Sequence, residues 1–477
     1  MTAPPAASKT KPFDRSIVEG PIVAAVWLIA WPSVLQNLIG GMQGVIDHAL
    51  VGHLVGYAGN AAVGVSFQIF LVVITFIMSI FTGMGVLVAR HAGAGDAEAV
   101  NHVSFQAFLA AMAMAIFIIA PLGWVLSPSL LELVHATPEV REQALPYLRT
   151  LFVGGFGMMI FFMLNGALRA AGDAKTGLRL GIVLTVLNFV LNVTLIRGLG
   201  PIPRLGTMGA ALGMVIAMTI AAGYGFYLMS RGGLVIHWHA GMDKSVDWPV
   251  IRQLFRFGLP AGFQGIVMNL GGVMLLRFMG SLPDSGHVQA VYAVGYSELF
   301  SFITWTSVGL MGAAAAVAGQ NLGAGKPERS VLAVHAANRM GLGIAVVVGT
   351  LFLVMPEMLF AMFGMRDTAS VERGVELLRW LALSGLFITT ALTYTGGLTG
   401  TGDTKGPLYI SIVAQVLLPI GLLEVLSRTT TLAPHHIWMA IVLGHATRAS
   451  LTVWRFRLGK WREIRIETGT PAPSRAH

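Results

Sequence analysis

The chain has 477 residues, 55% of them hydrophobic and only 11% charged, with no cysteine and a formal charge of +9, and its mean hydropathy is +0.73. Soluble domains carry about 25% charged residues, so a water-soluble protein of this length is excluded; the apolar content suffices for roughly a dozen helical spans of about 20 residues. The absence of cysteine removes disulfides, thiolate metal sites and cysteine nucleophiles, and in a membrane protein an excess of Lys and Arg marks cytoplasmic loops rather than a nucleic-acid surface.

Residues 1–21, with Lys9, Lys11 and Arg15, precede an apolar run too long for a signal-peptide core and are read as a cytoplasmic N-terminal segment. Twelve spans follow at 22–52, 60–89, 100–127, 144–168, 177–199, 206–230, 251–281, 288–318, 330–356, 374–399, 406–427 and 434–458. Turn residues separate them, such as Pro201, Pro203 and Arg204 before the sixth, and Pro283 and Asp284 before the eighth. None shows the period-2 alternation of a β-barrel strand. With both termini inside, all seven lysines, Lys9, Lys11, Lys175, Lys244, Lys326, Lys405 and Lys460, fall on the cytoplasmic side. Counting arginine as well, about 22 basic residues lie inside and about 9 outside. The Ala/Gly/Arg-rich composition fits a bacterial inner membrane, with residues 459–477 as a cytoplasmic tail.

The sequence repeats itself. Gly93-Ala94-Gly95 recurs as Gly323-Ala324-Gly325, and Leu168-Arg169-Ala170-Ala171-Gly172-Asp173-Ala174-Lys175 as Leu398-Thr399-Gly400-Thr401-Gly402-Asp403-Thr404-Lys405, both at an offset of 230 residues, while Pro32 matches Pro260 at 228. Six spans per repeat give two halves of the same orientation, 22–230 and 251–458, joined by a hydrophilic cytoplasmic linker at 231–250. The expected fold is an all-α integral membrane protein with twelve transmembrane helices in two parallel six-helix repeats around a central cavity. That is a transporter architecture, with the substrate site between the halves.

These motifs resemble a known family over nearly the whole chain. Pro32 and Ile46-Asp47-His48-Ala49-Leu50-Val51-Gly52 match its first-span proline and Val-Asp-x-x-x-Val-Gly segment; Arg90–Gly95 and Gly319–Gly325 match its second-span exit and its repeat; Leu168–Thr176 matches its aliphatic-Arg-x-x-Gly-Asp-x-Lys/Arg-Thr loop. The chain is therefore similar to the multidrug and toxic compound extrusion (MATE) exporters. The resemblance implies export of bulky, mostly cationic organic compounds or drugs, driven by inward flow of H⁺ or Na⁺, by a bilayer-embedded monomer with no enzymatic activity, no cofactor and no nucleic-acid partner. The alternative is a flippase for lipid-linked oligosaccharide or another amphipathic lipid precursor, which would carry more cationic residues in its cavity. No histidine pair has metal spacing, and no metal is expected.

Ionisable side chains inside spans are functional candidates by default, and Asp47, Glu298 and Glu424 qualify. Asp47 lies roughly 8 Å below the external boundary, where outside ions reach it, and desolvation favours the protonated form of a carboxyl. Asn188 and Asn192 are four apart and share one helical face; the resemblance sets that pair, together with Asn165, beside the first-span aspartate as a cation-coupling cluster. Two departures bear on the ion. Asn192 stands where relatives often have an acid, which leaves Asp47 as the only formal charge of the cluster and suits a single monovalent ion per cycle, and Met214 stands where they often have a hydroxyl, which weakens Na⁺ coordination relative to H⁺ binding. Glu298 is a candidate second acidic or substrate site, or a partner for Arg277; Glu424 precedes Arg428 by four residues, as in a structural pair. Pro32 is a candidate hinge. Met158, Met159, Phe161, Phe162 and Met163, with Met214, are candidates for an adaptable cavity wall, packing being the alternative role. His48 and His445 are candidate proton shuttles, and Arg169, Asp173, Asp403 and Lys405 candidate turn anchors.

Overall fold

The computed structural model describes residues 11–201, 203–239 and 241–466, so Lys9 and the end of the expected tail lie outside the described residues. Regular secondary structure among the described residues is helical throughout, as a bilayer demands of a backbone that must satisfy its own hydrogen bonds. The helices are α1 Ile22–Leu54, α2 Tyr57–Ala94, α3 Ala97–Leu133, α4 Pro138–Ala170, α5 Ala174–Arg197, α6 Gly206–Ser230, α7 Trp248–Gly280, α8 Ser285–Gly323, α9 Pro327–Val354, α10 Thr368–Gly400, α11 Lys405–Thr429 and α12 Pro434–Arg457. The first eleven are long and apolar enough to cross a membrane. The twelfth is less apolar because it carries His435, His436, His445, Arg448, Arg455 and Arg457, yet it fills the sixth place of the second repeat. Three helices widen into π-helical turns, α3 at Ala115–Ile119, α8 at Ala293–Leu299 and α11 at Ile412–Leu417. The expected ninth span ended at 356, whereas α9 stops at Val354 and a short helix, Pro356–Met362, restarts the chain. Pro356 has no N–H to continue the ladder.

The repeat is visible in the turn chemistry. Gly95 and Gly325 end α2 and follow α8 at φ of 79° and 72°, and Gly172 and Gly402 follow α4 and α10 at 95° and 99°, a left-handed region that glycine enters without steric cost. Both α4 and α10 have 33 residues. Their N-caps are Thr137, whose hydroxyl accepts from the Val140 N–H at 3.4 Å, and Asp367, which accepts from Ser370 at 2.8 Å. That backbone N–H holds the Asp367 carboxyl below its ordinary range. Asp173 and Asp403 cap the helices that follow, accepting from the N–H groups of Thr176 and Gly406, and each is clamped by a cation, Lys11 at 2.8 Å and Arg455 at 2.7 Å.

The described residues fall into two compact units. The first holds residues 11–15, 39–259 and 465–466, the second 16–38 and 260–464. This division differs from the sequence repeat at one place in each half: α1 passes from the second unit to the first after Leu38, and α7 from the first to the second at Pro260. Small residues let these helices approach. Inside the first unit, a Cβ on Gly83 would sit 2.0 Å from the Leu254 carbonyl oxygen and one on Gly258 would sit 2.2 Å from that of Ser79, so α2 and the start of α7 touch backbone to backbone. Inside the second unit, Cβ atoms on Gly396 and Gly400 would lie 2.2 and 2.1 Å from the carbonyl oxygens of Met311 and Ala315. The short helix Ser16–Glu19 also belongs to that unit: the carbonyls of Ile17, Val18 and Gly20 accept from Asn321, Lys326 and Arg329 at 3.2, 3.0 and 2.7 Å.

Gly400→Ala therefore costs about 1–3 kcal/mol through overpacking and lowers the melting temperature of the purified protein. Gly343→Ala, on α9 with no atom within 4 Å of the added methyl, leaves it unchanged.

Candidate coupling site

Two helices of the first unit build the site, the outer part of α1 and the middle of α5. The Asn192 side-chain amide donates to Asp47 Oδ1 at 2.8 Å. Asn188, one turn earlier and fully buried, turns its amide toward the same carboxyl. One terminal atom of that amide lies 3.1 Å from Asp47 Oδ1 and 3.3 Å from Oδ2. With nitrogen in that place it donates to a charged Asp47. Gln43 Nε2 lies 3.0 Å and Asn192 Nδ2 3.3 Å from the same atom.

Sequence reasoning missed the outer shell. Gln43 lies one turn before Asp47 on α1, and its carbonyl accepts from the Thr185 hydroxyl at 3.0 Å; Thr185 lies three residues before Asn188 on α5. The signal was present in the spacing, since both sit one helical turn from residues already singled out. Tyr147 of α4, buried, is within electrostatic reach of Asp47. On α6 the decisive residue is Gly213, next to Met214, because a Cβ there would fall 2.1 Å from Asn192 Oδ1. That oxygen has no hydrogen-bond partner among the described residues. Gly213 fixes how Asn192 sits by leaving its carbonyl room on the side away from Asp47.

The other candidates sit as follows. Asn165, on α4, donates to the Phe161 carbonyl on its own helix at 3.2 Å, whereas the bonds to Asp47 described above come from α5. His48 turns to α2, where its Nδ1 lies 2.9 Å from Asn60 Oδ1. Met158, Met159, Phe161 and Met163 are at most 3% exposed, packed in the interior of their unit, while Phe162 meets Phe161 edge-on at 5.8 Å. Pro32 sits within a continuous α1. Glu298 lies on the π-helical turn of α8 and makes no ion pair with Arg277 among the described residues. Glu424 pairs with Arg428 at 2.5 Å on the surface. His445 is buried, with Nδ1 2.5 Å from the Ser384 hydroxyl.

Comparison with known proteins agrees with this architecture. A family model described as MatE matches residues 32–194 and 260–422, once in each repeat. The "Probable multidrug resistance protein NorM" of Thermotoga maritima is 24% identical over 92% of this chain and 93% of its own length. Its namesake in Pseudomonas putida is 27% identical over 94% of each chain. Among solved structures, the outward-facing conformation of a multidrug resistance MATE family transporter of the MOP superfamily superposes with a TM-score of 0.86 at 21% identity, covering 94% of this chain and 98% of that one.

Gly213→Ala displaces Asn192 and removes a charge-assisted hydrogen bond worth about 1.5–3 kcal/mol. Ion-driven transport by the variant is expected to fall on the order of tenfold or more, as in Asn192→Ala. Gly223→Ala, on the same helix with open space around the added methyl, serves as the control that keeps wild-type rates.

Proposed function

Because the chain belongs to the MatE family, we propose that it exports organic cations and drugs by proton antiport with alternating access. The coarser statement stands on the family and the relatives: this is a multi-pass membrane transporter of the multidrug efflux class, not an enzyme. The proton coupling is our reading, and one observation carries it. Asp47 is met by amide groups rather than by a cage of oxygens. Sodium is a hard cation that wants several oxygen ligands. Here Asn192 turns its nitrogen to the carboxyl while its oxygen rests against Gly213, and position 214, a methionine, has no oxygen to give.

The cycle follows from the charge of Asp47. With Asp47 charged, amide donors stabilise the carboxylate in one state of the transporter. A proton arriving from outside neutralises it, and the attraction that holds α1 against α5 weakens. Pro32, which breaks the α1 hydrogen-bond ladder, supplies the compliance for α1 to respond. Coupling requires that proton and cargo favour different states, or compete for one, by a few kcal/mol. Asn165 of α4 is kept as a member of the coupling cluster. The protein acts as a monomer in an inner membrane with both termini in the cytoplasm.

The test is transport of a cationic dye in proteoliposomes under an imposed proton or sodium gradient, with wild type and Asp47→Asn. The proton gradient alone is expected to drive the wild type, and Asp47→Asn, fixed as a mimic of the protonated form, to lose export. Sodium-driven export by the wild type, or proton-driven export by the variant, contradicts the reading.

A further inference from the structure

In the second unit α9 and α12 both pack along α10. They converge at Gly397 of α10, where an added Cβ would fall 2.4 Å from Val334 of α9 and 3.2 Å from Phe456 of α12. One turn earlier stands Tyr394, six residues, about 9 Å, before the end of α10. Its ring meets that of His335, on α9, at 6.0 Å and that of Phe456, edge-on, at 5.4 Å. Trp461, on the short 3₁₀ helix Lys460–Glu463, stacks on Phe456 at 5.1 Å and donates from Nε1 to the Phe456 carbonyl at 2.9 Å. That contact fixes the last turn of α12, and with it Arg457.

Cationic side chains gather round this tyrosine from two helices. Arg339, one turn after His335 on α9, and Arg457, the last residue of α12, are both exposed. Both are within electrostatic reach of Tyr394 and of His335. Neither arginine has an ion pair or hydrogen bond among the described residues, and acids at this end of the unit serve other cations, Asp403 pairing with Arg455 and Glu328 with Arg462. Basic groups held together in this way repel one another unless an anion lies among them. The surroundings decide what kind of anion. Leu332 and Val346, one heptad before and after Arg339, and Trp454, one turn before Arg457, are large exposed apolar side chains on the same helix faces. In a membrane protein such faces are covered by acyl chains, with tryptophan at the headgroup level, and a basic pocket between spanning helices recognises a lipid phosphate. Two guanidinium forks supply charged donors to its oxygens. The Tyr394 hydroxyl, which bonds to no described residue, supplies a neutral one.

We propose that His335, Arg339, Tyr394 and Arg457 form a binding site for the phosphate of an anionic phospholipid, whose acyl chains lie along the exposed faces of α9 and α12. The site belongs to the second unit, shares no residue with the coupling site, and depends neither on the cargo nor on the coupling ion.

The probes are phosphatidylglycerol, phosphatidylcholine with the same acyl chains, and inorganic phosphate, each titrated into the purified, detergent-solubilised protein while its melting temperature is followed. Wild type is compared with the paired variant Arg339→Gln and Arg457→Gln, with Tyr394→Phe, and with Arg179→Gln, which alters an exposed arginine of α5. Phosphatidylglycerol is expected to protect the wild type at a concentration on the order of tenfold lower than phosphatidylcholine, and inorganic phosphate to give no protection at matched concentration. The paired variant loses this preference, Tyr394→Phe keeps part of it, and Arg179→Gln keeps all of it. Without lipid the paired variant melts at the wild-type temperature or above, because it removes exposed charges that repel one another. Equal protection by the two lipids, or by inorganic phosphate, overturns the proposal in wild type alone. Loss of the preference in Arg179→Gln overturns it as well, as does a paired variant that keeps the preference or melts below wild type without lipid.

Discussion

A carboxylate inside a bilayer is tolerated only where fixed dipoles replace the water it has lost, and the first unit is arranged around that requirement. Asp47 receives the Asn192 amide directly and faces that of Asn188. Gln43 and Thr185 extend the network across α1 and α5. Gly213 lets α6 approach so closely that the Asn192 carbonyl has a single place to rest. Each partner constrains the next.

The repeat makes the specialisation clear. At the offsets of the nearest landmarks, 228 residues from Pro32 and 230 from Leu168, Leu275, Leu418 and Leu422 stand where Asp47, Asn188 and Asn192 stand in the first half. The helices and turn glycines are duplicated, but the carboxylate and its amides are not. The second unit instead buries Arg448 beside a stack of aromatic rings.

Much of the scaffold was legible in the sequence. Apolar runs of spanning length, turn glycines and a near-constant repeat offset are strong signals because the bilayer leaves so few alternatives. The division into units was not legible, because the apolar run of α1 is the same whichever neighbours its first half packs against. Within the site, Asp47 stood out as an ionisable group in a span, and Asn188 with Asn192 by their four-residue spacing. Gln43 and Thr185 did not stand out because polar side chains in spans often bond to their own helix, as Thr75 and Thr150 do to Leu71 and Pro146. Gly213 was invisible for another reason, since one glycine among 58 acquires meaning only when a neighbouring atom occupies the space of its missing side chain. The methionines of α4 show the converse, an adaptable-looking composition that the fold packs into an interior.

The central claim is that the charge of Asp47 is set by its amide shell and changes with the external proton supply. Infrared difference spectroscopy of the purified protein in lipid, recorded between neutral and acidic pH, tests it most directly. The account predicts a protonated-carboxyl C=O band that appears on acidification, is missing in Asp47→Asn and shifts in Gln43→Leu. An identical carboxyl difference spectrum in wild type and Asp47→Asn, or a spectrum that responds to sodium at fixed pH, would contradict it.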